Sequence, residues 1–315
     1  MTEYNGDPLR PDLETVTPPE VIARLTMPER EERVKYLIEQ AHHIADWAWK
    51  VHGENRRLVA RCVLYSGGND STVLAHLMKG RSDYAVHANT TIGVEQTRQF
   101  VRDTCKMWGL ELLERSGPDS FRDLVLGNVY AKNGNRPYPG GFPGPGAHFY
   151  MFQRLKERAL DQVRRELVKN PRQERVLFYA GRRRSESKRR MNIALADRRG
   201  SIVYTSPLAM WTKVDMTTYR LMHRDTEDPV PVNEVSELLH MSGECLCGSF
   251  AKEGELDEIR LWFPEVAAEI EALQEEVRAA GFTDEKGTWG HRKGKPTNKT
   301  GMLCTSCEFT PDTEA

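Results

Sequence analysis

A short apolar segment followed by a glycine-rich turn most constrains what this chain can fold into. Residues 58–65 are mostly apolar and of strand length, Ser66–Ser71 reads SGGNDS, and a helical pattern runs from Thr72 to Lys79. A strand, a tight turn and a helix in this order predict a crossover unit of a parallel sheet. Two adjacent glycines allow a sharp turn and a close ligand, and the amides at a helix N-terminus favour an anion such as phosphate.

The polar side chains of this turn extend the prediction. Ser66 and Ser71 add hydroxyl donors, whereas the Asp70 carboxylate is costly beside a phosphate unless it caps backbone donors or helps to hold Mg²⁺. The turn lacks the Gly-Lys-Ser/Thr ending of a Walker A loop. The alternative to an anion site is an ordinary strand-to-helix turn in which Asp70 and Ser71 are caps.

The alternation of strands and helices continues beyond the turn and predicts an α/β fold with a doubly wound, mostly parallel sheet. The predicted strands and helices after the turn are strands at 84–88, 110–114, 175–180 and 201–205, and helices at 95–108, 149–169 and 214–223, with a basic turn and helix after residue 180. We expect three regions: an N-terminal arm and helix (1–55), a nucleotide-binding α/β domain (56–230) and a helical, cysteine-bearing C-terminal region (231–315). Within the domain, nine of the 17 residues 131–147 are Gly or Pro, which indicates an irregular excursion that could cover a site.

Composition limits the partners of the chain. The 45 Lys and Arg balance 46 Asp and Glu, so bulk charge does not favour a polyanion. A nucleic-acid surface would need a local patch, and residues 182–199 offer one with eight basic and two acidic residues. No apolar run is long enough to cross a membrane, and the polar, acidic N-terminus does not resemble a secretory signal. We therefore expect a soluble cytoplasmic protein with reduced thiols.

The six cysteines divide into two groups. Cys62 and Cys105 lie inside a predicted strand and helix, where they act as small buried side chains. The other four form a C-x-C pair and a C-x₂-C pair, which is the arrangement that a tetrahedral metal site needs: Cys245, Cys247, Cys304 and Cys307. Zinc and a [4Fe–4S] cluster both fit four cysteines, and spacing alone does not separate them.

Four ordered segments resemble one known family. SGGNDS after a strand resembles the pyrophosphate loop (PP-loop) of the adenine nucleotide α-hydrolase superfamily, which includes ATP pyrophosphatases and phosphoadenosine-phosphosulfate (PAPS) reductases. Asn89–Thr97 is similar to the Asp-Thr-Gly…Glu-Thr segment of PAPS reductases, with Asn89 in place of the Asp. Gly181–Arg190 resembles their Gly-x-Arg-x-x-Glu-Ser-x-x-Arg segment, and residues 207–219 resemble their Pro-Leu-x-x-Trp-x-x-x-Asp-x-x-x-Tyr segment.

The resemblance implies a set of site residues. The implied nucleotide-binding residues are Ser66, Gly67, Gly68, Asp70, Ser71, Thr90, Glu95, Arg183, Ser187 and Arg190, and the implied catalytic residues are Ser66, Asp70, Arg183 and Glu186. Trp211 is expected in the core and Asp215 as a helix cap.

The resemblance also implies sulfur chemistry. The segment SGECLCG around Cys245 is similar to one in DNA phosphorothioation sulfurtransferases and phage-encoded PAPS reductase-like proteins, which favours an iron–sulfur cluster. The tail, LCTSCEF, lacks the Glu-Cys-Gly-x-His segment of assimilatory PAPS reductases.

We therefore expect an enzyme that binds ATP and Mg²⁺, adenylates an acceptor with release of pyrophosphate and then transfers sulfur. Its partners would be a nucleic-acid acceptor and a sulfur-donor protein. The alternatives are a PAPS or adenosine-phosphosulfate reductase that releases sulfite, and a non-catalytic nucleotide- or nucleic-acid-binding adaptor. The oligomeric state stays open.

Overall fold

The computed structural model describes residues 4–136, 138–187 and 190–291. Six strands form one sheet: β1 Arg57–Leu64, β2 Tyr84–Asn89, β3 Glu111–Ser116, β4 Glu174–Tyr179, β5 Ala196–Arg199 and β6 Ile202–Thr205. The α-helices are α1 Pro19–Ala23, α2 Met27–His52, α3 Asn69–Met78, α4 Glu95–Met107, α5 Phe121–Val125, α6 His148–Met151, α7 Arg158–Leu167, α8 Lys213–Arg224, α9 Glu234–Leu238, α10 Glu255–Trp262 and α11 Pro264–Ala279.

The sheet has the strand order β3-β2-β1-β4-β6-β5. All its pairs are parallel except β5 with β6, which is antiparallel at one edge. This confirms the predicted α/β fold with a mostly parallel sheet. The strand order reverses at β1, because β2 lies on one side of it and β4 on the other. The glycine turn therefore follows the strand at the switch point, where open α/β sheets bind ligands.

Two predicted segments differ in detail. The helix predicted over 149–169 is interrupted, since a π-helical stretch, Phe152–Glu157, separates α6 from α7. In the described residues of the basic stretch, 181–187 and 190–195, a short 3₁₀ turn, Arg184–Glu186, stands in place of the predicted helix before β5. The chain reverses direction at Gly200, whose φ of +59° suits a hairpin turn. Strand β5 forms because this reversal lets it pair with the buried strand β6.

The N-terminal helix α2 packs against α8 and the β5–β6 edge of the sheet. Helix α2 is joined to α8 by a fully buried ion pair in which the Arg33 Nε atom lies 2.7 Å from Oδ1 of Asp215. Asp215 also forms a capping box with Thr212, which confirms the predicted cap, and Trp211 is buried in the core as predicted.

A separate apolar cluster lies under the C-terminal region. Phe142, from the Gly/Pro-rich excursion, packs there with residues of α10 and α11. Its backbone N–H donates to the carbonyl of Lys286 at 2.7 Å, and the ring of Phe282 lies against Gly140. The second half of the excursion is thus held by residues 282–291. Among the described residues, no helix is both long and apolar enough to cross a membrane.

Candidate functional site

The backbone of the glycine turn leaves no room for side chains. Gly67 has a φ of +76°, and a Cβ on it would lie 2.8 Å from Cγ2 of Thr97. A Cβ on Gly68 would lie 3.0 Å from Cβ of Ser242. Glycine is therefore required at Gly67 both by its dihedral angle and by its neighbours.

The two serines of the turn bond to each other and to its backbone. The Ser71 hydroxyl donates to the Gly68 carbonyl at 2.9 Å and accepts from the Ser66 N–H at 3.2 Å. Its Oγ lies 3.1 Å from the Ser66 Oγ. These bonds shape the turn so that α3 begins directly after it, with the N-terminal amides of the helix beside the turn.

Asp70 is paired with Arg183, which follows β4. The Nε and Nη2 atoms of Arg183 both lie 2.8 Å from the Asp70 Oδ2 atom. Nη1 of the same guanidinium donates to the Ser185 hydroxyl at 3.1 Å, and that hydroxyl donates to the carbonyl of Trp211. Asp70 and Arg183, two predicted site residues from separate motifs 113 positions apart, are thus in contact. The Asp70 side chain stays partly exposed, so it can exchange this partner for another cation.

Three more residues of the same loop form a buried, positively charged cluster. Glu186 Oε2 lies 3.1 Å from Nη1 of Arg190, and both side chains are about nine-tenths buried. Arg182 is buried and donates to the Ser206 hydroxyl at 2.6 Å. Burial and the neighbouring Arg190 lower the pKa of Arg182 to about 10, because both penalise its charged form. An anion bound here would relieve this repulsion. Ser187 follows the 3₁₀ turn, and its carbonyl accepts from the Arg190 N–H at 2.9 Å.

Two predicted site residues that follow β2, Thr90 and Glu95, bond to groups outside the glycine turn. Thr90 is fully buried, its N–H donates to Oε1 of Glu244 at 2.8 Å, and its hydroxyl donates to the Glu244 carbonyl. Glu95 is exposed and forms ion pairs with Arg98 and Arg102 at 3.2 and 2.6 Å. Among the described residues, neither Thr90 nor Glu95 has a hydrogen bond to the glycine turn.

Asn89 and Thr91 shape this segment. The Asn89 amide donates to Oε1 of Glu114 at 2.9 Å, and its carbonyl oxygen accepts from the Thr91 N–H at 2.9 Å. Thr91 has a φ of +61°, and its hydroxyl accepts from the Phe121 N–H. The Asn that replaces the family's Asp therefore serves as a turn residue beside a carboxylate.

Sequence reasoning missed a buried pair between His87 and Glu244. Nδ1 of His87 lies 2.8 Å from the Tyr65 carbonyl oxygen and Nε2 lies 3.0 Å from Oε2 of Glu244. Both ring nitrogens thus face acceptors, an arrangement that favours the protonated ring. Burial alone would lower the pKa of His87, but the Glu244 carboxylate outweighs it and the pKa is raised. The only sequence signal was an acidic residue between the Gly and the Cys of SGECLCG.

Asn233 was also missed, and it holds the glycine turn from the C-terminal side. Its side-chain amide donates to the Gly67 carbonyl at 2.9 Å and to the Thr97 hydroxyl at 3.1 Å. That hydroxyl donates to the carbonyl of Ser242 at 2.7 Å. The turn is therefore completed by residues far along the chain.

Cys245 and Cys247 lie side by side. The Cys245 thiol hydrogen-bonds to Cys247, which raises the pKa of Cys245 and lowers that of Cys247 to about 7. The segment is fixed by the Leu246 N–H, which donates to the Ile92 carbonyl at 2.8 Å. Cys304 and Cys307 lie outside the described residues. Within the described ranges, no group of three or more His, Cys, Asp or Glu side chains is arranged to hold a metal ion.

The two remaining cysteines are buried, as predicted. Cys62 lies in β1 and Cys105 in α4. Burial raises the pKa of the Cys105 thiol to about 12, so it stays protonated.

Comparison with known proteins agrees with the sequence motifs. The family model for the phosphoadenosine phosphosulfate reductase domain matches residues 60–230, a range that contains all four motif segments. No curated protein matches the chain.

Several solved structures are similar to the chain at low sequence identity. Phosphoadenylyl-sulfate reductase from Candida auris is 17% identical, with 68% of this chain and 92% of that chain covered and a TM-score of 0.41. The U34-tRNA thiolase NcsA from Methanococcus maripaludis, solved with its [4Fe-4S] cluster, is 15% identical, with 80% and 81% covered and a TM-score of 0.36. The FMN adenylyltransferase of Candida glabrata is 11% identical, with 70% and 66% covered and a TM-score of 0.43.

Proposed function

The chain belongs to the phosphoadenosine phosphosulfate reductase domain family, and we propose that it is a nucleotide-dependent enzyme of sulfur chemistry. ATP would bind with its phosphates at the turn Ser66–Ser71. An oxygen of the acceptor would attack the α-phosphorus, and the bond to the bridging oxygen of the β-phosphate would break, so that pyrophosphate leaves. A sulfur nucleophile would then displace AMP from the adenylated acceptor. The observation that carries this proposal is the Asp70–Arg183 pair beside the turn.

The charges around the turn support a polyphosphate ligand. Arg182, Arg183 and Arg190 lie on one loop, and the one carboxylate within that cluster, Glu186, is paired with Arg190. Guanidinium groups bind phosphates through paired, charge-assisted hydrogen bonds. When phosphates take over Arg183, the Asp70 carboxylate is free to hold Mg²⁺, which prefers oxygen ligands. Together these groups would neutralise the charge that develops as pyrophosphate leaves.

The cysteine pair fits a soft metal centre. Cys245 and Cys247 are adjacent, and the lowered pKa of Cys247 favours the thiolate that metals bind. Cys304 and Cys307 would supply the other two ligands of a [4Fe–4S] cluster or Zn²⁺. With four cysteine ligands such a centre would have no open coordination position, so when bound it would tie the two cysteine pairs together or, as a [4Fe–4S] cluster, transfer electrons. The chain's own contribution is to fix the segment through Leu246 and to place it beside the strand that carries His87.

Reduction of PAPS is the second candidate function, because the matched family is named for it. The same cationic cluster would accept the phosphates of PAPS. Against it stands the tail, which lacks the Glu-Cys-Gly-x-His segment that supplies the nucleophile in assimilatory reductases. A nucleic-acid acceptor and a sulfur-donor protein are parts of the first proposal, which the basic composition of residues 182–199 supports. Arg182, Arg183 and Arg190 of this stretch are buried, so they would serve the phosphates of the nucleotide and not a nucleic-acid surface.

Binding of ATP with Mg²⁺ and of PAPS to anaerobically prepared protein separates these candidates. We expect ATP to bind more tightly, and Asp70→Ala or Arg183→Ala to weaken it about 10- to 100-fold, since charged hydrogen bonds contribute about 1.5–3 kcal/mol. Arg224→Ala is the matched control, because Arg224 forms an exposed ion pair with Asp225. Tighter PAPS binding with sulfite release would establish the reductase instead. If neither nucleotide binds, the non-catalytic adaptor remains.

A further inference from the structure

A cavity lies away from the glycine turn, at the end of the sheet where β4 and β6 begin. It encloses about 610 Å³ between helix α7 and the turn that joins β5 to β6. We call it the basic groove. The glycine turn follows the opposite end of the parallel strand β1, so the length of a six-residue strand, about 20 Å, separates the two sites.

The charge of the basic groove is mostly positive. Five arginines and two carboxylates line it. Arg175 and Arg198 share one carboxylate, that of Glu54, whose two oxygens lie 3.0 Å from one guanidinium each. Arg158 is exposed, and no carboxylate among the described residues lies within ion-pair distance of it. The groove therefore keeps uncompensated positive charge.

Two buried polar atoms of the groove lack a hydrogen-bond partner in the described part of the chain. They are Nε of Arg175 and the hydroxyl oxygen of Ser201, and both residues are more than nine-tenths buried. Buried polar groups in native proteins are rarely left unpaired. Both atoms are shielded from solvent in this conformation, so an acceptor in the groove would reach them only after the Arg175 and Ser201 side chains turn toward it. A ligand that induces this small change would pair both groups.

We propose that the basic groove binds a small organic phosphate of about mononucleotide size. The volume falls within the range of small-molecule pockets. Pro171, Ile202 and Tyr204 supply an apolar wall for the organic part, and the arginines supply donors for the phosphate. A volume of about 610 Å³ accommodates one phosphate and its organic part rather than a continuous polynucleotide backbone. This ligand is distinct from the nucleotide at the glycine turn.

Titration calorimetry with three phosphate monoesters tests this proposal: uridine 5′-monophosphate, glucose 6-phosphate and glycerol 3-phosphate. The full chain carries Arg183→Ala, which leaves the Asp70 carboxylate without its partner beside the glycine turn and so disfavours phosphate there. Uridine and glucose serve as phosphate-free ligands. We expect saturable binding of at least one monoester and none of the phosphate-free ligands. Arg158→Ala and Ser201→Ala should each weaken it about five- to ten-fold, as the loss of one hydrogen bond predicts. Arg165→Ala is the matched control, since Arg165 lies on the same helix, is exposed and does not line the groove.

Three results would overturn the proposal. The first is no saturable binding of any monoester, and the second is binding that Arg158→Ala and Ser201→Ala leave unchanged. The third is tighter binding of a single-stranded 20-mer with a steep salt dependence that Arg158→Ala removes, which would assign the groove to a polynucleotide. Failure of ATP binding at the glycine turn leaves all of these measurements interpretable, because they are made with that site disabled.

Discussion

Replacement of Glu244 should destabilise the fold more than any surface change, because its carboxylate joins two parts of the chain in the core. It accepts from the Thr90 N–H and from Nε2 of His87, and the side chains of His87 and Glu244 are both essentially inaccessible to solvent. Removing one partner of a buried ion pair typically costs about 3–5 kcal/mol. We expect Glu244→Ala to lower the free energy of unfolding by that amount. Glu244→Gln keeps the shape of the side chain and can still hydrogen-bond to both partners, so we expect it to lower the free energy of unfolding by about 1–2 kcal/mol.

The pH dependence distinguishes lost charge from lost packing. Burial lowers the pKa of His87, but the Glu244 carboxylate and the Tyr65 carbonyl outweigh it, so the folded pKa lies above the unfolded value of about 6.5. The stabilisation of the fold by this pair is therefore fully present below pH 6.5, and it is lost as the pH rises through the folded pKa of His87. In Glu244→Gln a neutral ring satisfies both hydrogen bonds. This part of the pH dependence should therefore disappear in that variant.

Urea unfolding followed by far-ultraviolet circular dichroism at pH 6, 7, 8 and 9 measures both effects. Glu269→Gln is the matched control, since Glu269 is exposed on α11 and should leave stability and its pH profile unchanged. The reasoning is refuted if Glu244→Ala at pH 7 stays within about 1 kcal/mol of the parent, a loss typical of surface changes rather than of a broken buried pair. It is equally refuted if Glu244→Gln loses stability with rising pH as steeply as the parent.

Two further substitutions test the glycine turn and the attachment of the N-terminal helix. Gly67→Ala should lower the free energy of unfolding by about 1–3 kcal/mol and abolish ATP binding, because Ala resists a positive φ and its Cβ would lie 2.8 Å from Thr97 Cγ2. The control Gly80→Ala has open space around it and should change neither quantity. Equal losses of stability and of ATP binding in the two variants would contradict this prediction. Arg33→Ala should cost about 3–5 kcal/mol because it leaves the buried Asp215 carboxylate without its cation. The double variant Arg33→Ala/Asp215→Ala should then lose less than the sum of the two single losses in urea unfolding, whereas strict additivity would show that the pair is not coupled.

The local parts of the fold could be predicted from the sequence because they depend on neighbouring residues. The apolar run before Ser66–Ser71, the paired glycines and the helix after them form one unit, and the structure has it as β1, the turn and α3. Trp211 and Asp215 also took the predicted core and cap positions. The capping bond of Asp215 comes from Thr212, three residues earlier, so the local sequence contains it.

The paired contacts of the site could not be predicted, because the topology brings distant residues together. Nothing in the local sequence around Asp70 indicates that Arg183 is its partner, and nothing near His87 indicates Glu244, 157 residues away. Strand β5 was missed for a different reason. Its sequence, ADRR, lacks the apolar alternation of a strand, since an edge strand with charged side chains is protected against pairing with other chains.

The bonds from Asn233 to the glycine turn have a consequence for the order in which a ribosome-bound chain acquires its parts. Asn233 lies 166 residues after Gly67, so the turn emerges long before the residue that closes it. At synthesis rates of 5–20 residues per second, this delay is about 8–33 s. A nascent chain therefore carries β1 and its turn without their final support during that time. Chaperone contacts or nucleotide should matter most to the yield of folded protein in this interval.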